Sequence, residues 1–213
     1  MLFLTGCSQN NSSEISDNTV IDDKPIKNFT ILALGDSLTE GLGVEEKSNY
    51  PSILERNLPD NIEVVNAGLS GETSNGLKSR LNWVLQQKPD LTILNIGAND
   101  AMRGLPLELT KSNIDEIITK IKQADSDVIL AGMQIYDNLG KEYVDGFSGI
   151  YPELAQKHNL PLIPFFLEHI AGNSKYNQND MIHPNADGYA LIVEKNILPI
   201  VNQYLKTKIH NNQ

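Results

Sequence analysis

The sequence predicts an α/β fold, a five-stranded parallel sheet covered by helices, and three observations carry that expectation. Five short apolar runs, rich in β-branched residues, recur at 29–34, 62–66, 91–96, 127–132 and 160–165. Each is nearly continuous rather than alternating, the pattern of a strand buried on both faces. Longer segments with helical apolar spacing separate them, and such alternation of strand and helix specifies a parallel sheet. Finally, 213 residues at 40% hydrophobic content suffice for one domain with a substantial core and are few for two.

Taken in order, the first run leads directly into Gly35-Asp36-Ser37. A helix follows from Ser48-Asn49-Tyr50-Pro51, with Ile53, Leu54 and Leu58 on its apolar side. Pro51 suits a first turn, where its missing N–H costs no intrahelical bond. After strand 62–66, the helix expected over 73–87 places Leu77, Leu81 and Val84 on one face. Strand 91–96 precedes a helix over 109–124, with Ile114, Ile117, Ile118 and Ile121 in register. Strand 127–132, a helix over 143–158, strand 160–165 and a last helix over 186–204, opened by Pro184, complete the series. The globular domain is expected over 28–206, between a polar N-terminal segment, 1–27, and a polar tail, 207–213.

Charge and cysteine content narrow the function classes. A formal net charge of -10 argues against nucleic acid as a partner, because neutralising phosphates takes a basic patch. A single cysteine excludes an intrachain disulfide and any multi-cysteine metal site. That cysteine ends Leu4-Thr5-Gly6-Cys7, which resembles the lipobox of bacterial lipoproteins. The resemblance implies a protein of the bacterial cell envelope, tethered to a membrane by lipid on Cys7, with the polar run 8–23 as the tether. The alternative is a plain disordered tail, since the apolar stretch before Cys7 is shorter than the roughly 7 to 15 residues of a secretory signal core. Nothing later in the chain has the length and apolarity of a membrane span.

In parallel sheets, functional residues collect beyond the C-terminal ends of strands, which here means 35–37, 67–73, 97–103 and 168–184. Taken alone, Ser37 reads more readily as a helix N-cap than as a nucleophile, and a nucleophile needs a base. Of the four histidines, His158 ends a helix and favours its terminal carbonyls, His169 has no evident partner, and His210 lies in the polar tail. His183 differs, because Asp180 stands three residues earlier in a loop. One turn can bring that carboxylate to the imidazole Nδ1–H and leave Nε2 facing a serine, and on this segment alone a loop Asp and His that merely cap the helix read equally well. Gly68, after the second strand, and Asn99, after the third, are candidate donors for a tetrahedral oxyanion, although Gly and Asn also serve ordinary turns.

Together, Gly-Asp-Ser, a glycine turn, Gly-Ala-Asn-Asp and Asp-Met-Ile-His resemble, in order and position, the SGNH or GDSL hydrolase superfamily. The likeness spans roughly residues 29–205. It is strongest toward bacterial arylesterases and the thioesterase I/lysophospholipase L1 enzymes, where Ala98 stands in place of a common glycine. The resemblance implies a three-layer α/β/α sandwich around a flavodoxin-like sheet. It also implies Ser37 as nucleophile, His183 as base and then acid, Asp180 as its orienting partner, and no metal or organic cofactor. The oxyanion hole would be the Ser37 and Gly68 N–H groups with the Asn99 side chain, and Asp36 would merely order the turn. The acyl group would lie against Met102, Leu105 and Leu107, with Met133, Ile135 and Tyr136 as further lining.

The expected substrate is a small-molecule ester or lipid, with small esters and lysophospholipids favoured over polyanionic acyl-CoA by the negative charge, and the expected assembly is a monomer. A carbohydrate O-deacetylase with the same triad is one rival. The other is a non-catalytic flavodoxin-like binder of nucleotide or flavin, which leaves Asp180 and His183 unexplained and lacks a G-x-G-x-x-G or G-x-x-x-x-G-K-[ST] phosphate cradle.

Overall fold

A computed structural model describes residues 29–136 and 139–211. The 1–27 segment with Cys7 lies outside the described residues. Five parallel strands form one sheet: β1 (Phe29–Gly35), β2 (Ile62–Gly68), β3 (Leu91–Asn95), β4 (Asp127–Ala131) and β5 (Leu162–Ile163), in the order β2-β1-β3-β4-β5. The chain moves one way from β1 to β2 and the other way from β3 onward. That reversal opens a crevice at the strand ends beside β1, where such sheets place ligands. Gly35 pairs with Gly68 on one side and Asn95 on the other, so three loops leave the sheet side by side.

Helices cover both faces. On one, α3 (Ser74–Val84) packs on α5 (Leu107–Gln123), and α5 on α6 (Lys141–His158). On the other, α2 (Tyr50–Arg56) packs on α7 (Ala186–Ile192), which continues through a π-turn, Val193–Ile197, into α8 (Leu198–Asn211). The apolar faces read from spacing are the buried ones: Leu77, Leu81 and Val84 from α3, and Ile114, Ile117, Ile118 and Ile121 from α5. The three-layer α/β/α sandwich is therefore as expected.

The differences have local causes. Strand β5 is two residues long rather than six, because Pro161 and Pro164 bracket it and neither can donate to a ladder. Two short helices, α1 (Ser37–Glu40) and α4 (Ala98–Met102), span too few residues to show a period. Pro184 does not open the last helix; it forms an isolated antiparallel bridge with Asn177, and Asn185 caps α7 by accepting the Gly188 N–H at 3.0 Å. The expected tail from residue 207 begins inside α8, which runs to Asn211. Its later turns are held by Tyr204, whose hydroxyl donates to Asp127 at 2.6 Å, and by a Lys208–Asp127 ion pair. His158 does not serve helix carbonyls but pairs through Nε2 with Asp115 at 2.6 Å. Among the described residues, no helix is long and apolar enough to cross a membrane.

Candidate active site

Strand β1 delivers Ser37 to the crevice through a turn that only its sequence allows. A Cβ on Gly35 would come within 2.1 Å of the Asn95 carbonyl and 2.4 Å of Thr39 Oγ1, so the strand can cross there only as glycine. The residue that caps α1 is Asp36, whose Oδ1 accepts the Leu38 N–H at 3.0 Å. Ser37 is thus the first residue of the helix rather than its cap. Its hydroxyl is left for other chemistry, and its N–H, which precedes the first intrahelical bond, has no hydrogen-bond partner among the described residues.

The loop before α7 carries the candidate base. Asp180 Oδ1 accepts the backbone N–H groups of Ile182 (2.9 Å) and His183 (3.0 Å), folding the loop so that its Oδ2 meets His183 Nδ1 at 2.7 Å. A carboxylate at Nδ1 selects the tautomer protonated there, which leaves Nε2 free to accept. Nε2 lies 2.9 Å from Ser37 Oγ. Partial burial would raise the Asp180 pKa, but the His183 backbone, the His183 ring and the Ile182 N–H outweigh it and lower the pKa to about 2. Gln178 braces the loop, donating from Nε2 to the carbonyls of Leu42 (2.7 Å) and Pro184 (3.0 Å); the sequence carries no signal for that role.

Gly68 does not fit the donor role expected of it. Its N–H donates to Asn66 Oδ1 at 2.9 Å, and its missing Cβ makes room for the Glu40 backbone, which a Cβ would meet at 2.0 Å. Along the same turn Leu69 N–H donates to Gly35 O (3.0 Å), Ser70 N–H to Glu40 Oε2 (2.8 Å) and Glu72 N–H to Leu69 O (3.2 Å). Gly71, exposed at φ +74°, is the one residue from 68 to 72 whose N–H has no partner among the described residues. The left-handed φ is the reason for glycine there. The turn is pinned by Glu72 and Arg80, which pair at 2.7 and 2.6 Å while Arg80 Nη2 also donates to Ala67 O at 2.8 Å. Arg103 Nη2 donates to Gly71 O at 2.7 Å.

Asn99 lies in α4, entered through Gly97 at φ +116°. Asp100 fixes the helix by accepting the Ser74 N–H (2.8 Å) and hydroxyl (2.5 Å). Asn99 Nδ2 donates to Asp36 Oδ2 at 3.3 Å, so the donor expected after β3 stands against the turn that presents Ser37.

The family model for the GDSL-like lipase/acylhydrolase family matches residues 33–191. The chain belongs to that family. It is 34% identical over 177 residues to the thioesterase 1/protease 1/lysophospholipase L1 of Escherichia coli strain K12, covering 81% of this chain and 85% of that protein. It is 35% identical over 168 residues to an arylesterase of Vibrio mimicus, covering 77% and 84%. The solved structure of the psychrotrophic esterase EstA from Pseudoalteromonas superposes with a TM-score of 0.78 at 31% identity, covering 83% of this chain and 98% of that one.

In this GDSL hydrolase an apolar cavity of about 380 Å³ opens beside the Ser37 helix, with Leu38 and Ala98 in its wall. Met102, Met133, Ile135 and Tyr136, the residues expected against the acyl group, are among its lining. Leu105 and Leu107 are not: the Leu105 carbonyl accepts the Tyr143 hydroxyl at 2.7 Å, and Leu107 opens α5 and packs against Gly146 of α6. Phe165, Leu167, Met181 and Ile182 complete more of the wall. Of these, Met181 and Ile182 were open to inference from their place beside His183. Among the described residues no group of three or more His, Cys, Asp or Glu side chains is disposed to hold a metal ion.

Proposed function

We propose that the chain is a serine esterase whose Ser37, His183 and Asp180 hydrolyse carboxylic esters, and also thioesters and lysophospholipids, through an acyl-enzyme. The observation that carries this reading is the continuous chain Asp180 Oδ2, His183 Nδ1, His183 Nε2, Ser37 Oγ, with contacts of 2.7 and 2.9 Å. His183 takes the hydroxyl proton as Ser37 Oγ attacks the carbonyl carbon, then gives it to the departing alkoxide or thiolate. Water repeats the two steps on the acyl-serine, releasing the acid and restoring the hydroxyl. Asp180 holds the tautomer and favours the imidazolium as it forms.

The oxyanion would meet the Ser37 N–H, Asn99 Nδ2 and the Gly71 N–H, each supported by its place beside the nucleophile loop and the last taking the role expected of Gly68. The acyl chain would lie in the apolar cavity, whose lining favours a hydrocarbon over a sugar acetate. In the same reading Leu4-Thr5-Gly6-Cys7 would tether the enzyme within the bacterial cell envelope through lipid on Cys7.

Ser37→Ala is expected to lower kcat on p-nitrophenyl butyrate by about four to six orders of magnitude with the fold unchanged. A fluorophosphonate probe is expected to label the wild type at Ser37 alone. Turnover near the wild-type rate in Ser37→Ala, or labelling of another serine, would sink the assignment.

A further inference from the structure

The carboxyl of Asp36 takes no part in the proton transfers, yet each of its oxygens is engaged at the site. Oδ1 accepts the Leu38 N–H that starts α1, and Oδ2 accepts from Asn99 Nδ2. Asp36 is 1% exposed and Asn99 8%. An amide side chain is nearly symmetric in shape, so packing alone does not decide which end faces a substrate. A carboxylate decides it, because it only accepts. Held by Oδ2 through one Nδ2 hydrogen, Asn99 keeps its nitrogen beside the Ser37 turn and retains the second hydrogen for an incoming oxyanion.

Resting on the function proposed above, we infer that Asp36 is a positioning residue: its carboxyl fixes the Asn99 amide with the donor end toward the reacting carbonyl. Capping alone does not call for a carboxylate here, since Asn or Ser caps a helix about as well without burying a charge. Burial pushes the Asp36 carboxyl up to about 7, against the pull of the Leu38 N–H, the His183 charge and the Asn99 amide. The fold therefore keeps a group that is costly to bury where a neutral cap would serve the turn.

Asp36→Asn separates the two roles. The new side chain keeps an acceptor for the Leu38 N–H but sets an NH2 group against Asn99 Nδ2, donor against donor. The expected result is a kcat on p-nitrophenyl butyrate about 10- to 100-fold lower, with KM within about 2-fold and the melting temperature at pH 8 not lowered. The deciding measurement is a double-mutant cycle. Asn99→Ala alone is expected to cost about 10²- to 10³-fold in kcat, and adding Asp36→Asn to it less than about 2-fold more.

Wild-type kcat in Asp36→Asn, wild-type kcat in Asn99→Ala, or a full multiplicative loss in the double variant would each overturn the inference. Asp36→Ser, which keeps a cap oxygen but is too short to reach Asn99, is taken through the same cycle and replaces Asp36→Asn if that variant fails to fold. Ser37→Ala is assayed alongside. Loss of turnover there with an additive cycle removes only the role of Asp36, whereas retained turnover removes the triad reading itself.

Discussion

At the scale of single residues, two aspartates beside Ser37 lie in opposite electrostatic environments. Asp180 receives three N–H bonds and is driven down to about 2, whereas Asp36, sealed by burial, is driven up to about 7. The Asp36 shift has a thermodynamic consequence. Its folded pKa lies above the ordinary 3.8, so between those values the folded chain holds a proton that the unfolded chain has released. The stability from this group is full below about pH 3.8, declines as pH rises toward 7, and is flat above. Asp36→Asn has no proton to lose, so its stability relative to wild type is expected to improve from pH 4 to pH 8, by on the order of a few kcal/mol. Urea denaturation of both proteins at the two pH values measures this, and a difference that does not move with pH would refute the shift. The sequence offered no hint of it: Asp36 reads as a turn residue, and its burial brings it against Asn99 of α4, from a distant part of the chain.

At the scale of elements, what was legible followed from length. Strands β1 to β4 and helices α3 and α5 carry enough apolar residues in period to announce themselves. Helix α1 has four residues and β5 two, too few for any pattern, and both are set by neighbours: Asp36 caps the one, and prolines bound the other. The same limit bears on the candidate oxyanion glycine. Gly68 and Gly71 stand in one turn, and only the hydrogen bonds around them distinguish a glycine needed for close packing from one with a spare N–H. That turn is secured to the strand ends by the Glu72–Arg80 pair, in which the Glu72 side chain is 4% exposed. Arg80→Met leaves that carboxylate and the Ala67 carbonyl without the guanidinium, and is expected to destabilise the fold by about 3–5 kcal/mol. Chemical denaturation tests this, and a loss below about 1 kcal/mol would mean the pair is not structural. Arg80 could be read beforehand only as a polar residue of α3.

At the scale of the whole molecule, the strand order explains why residues 62 positions apart, Ser37 and Asn99, meet at one crevice: β1 and β3 are neighbours on either side of the chain reversal. Family resemblance implied a flavodoxin-like sheet, whereas apolar periodicity gives strands but not their neighbours. The cavity is likewise a product of assembly, with walls from α1, α4, the segment after β4, the segment after β5 and the His183 loop. Three of the four methionines in the chain, Met102, Met133 and Met181, lie in it. Unbranched thioether side chains adapt to different contents, so on the proposed function this wall would take acyl chains of several lengths rather than one. If the cavity takes the acyl chain, filling it must penalise long chains more than short ones. Ile135→Trp adds bulk to the cavity wall, and its kcat/KM for p-nitrophenyl decanoate is expected to fall at least about 10-fold more than for the acetate, the scale of discrimination a misfit in an apolar pocket gives. Equal losses on both esters would place the acyl chain elsewhere on the molecule.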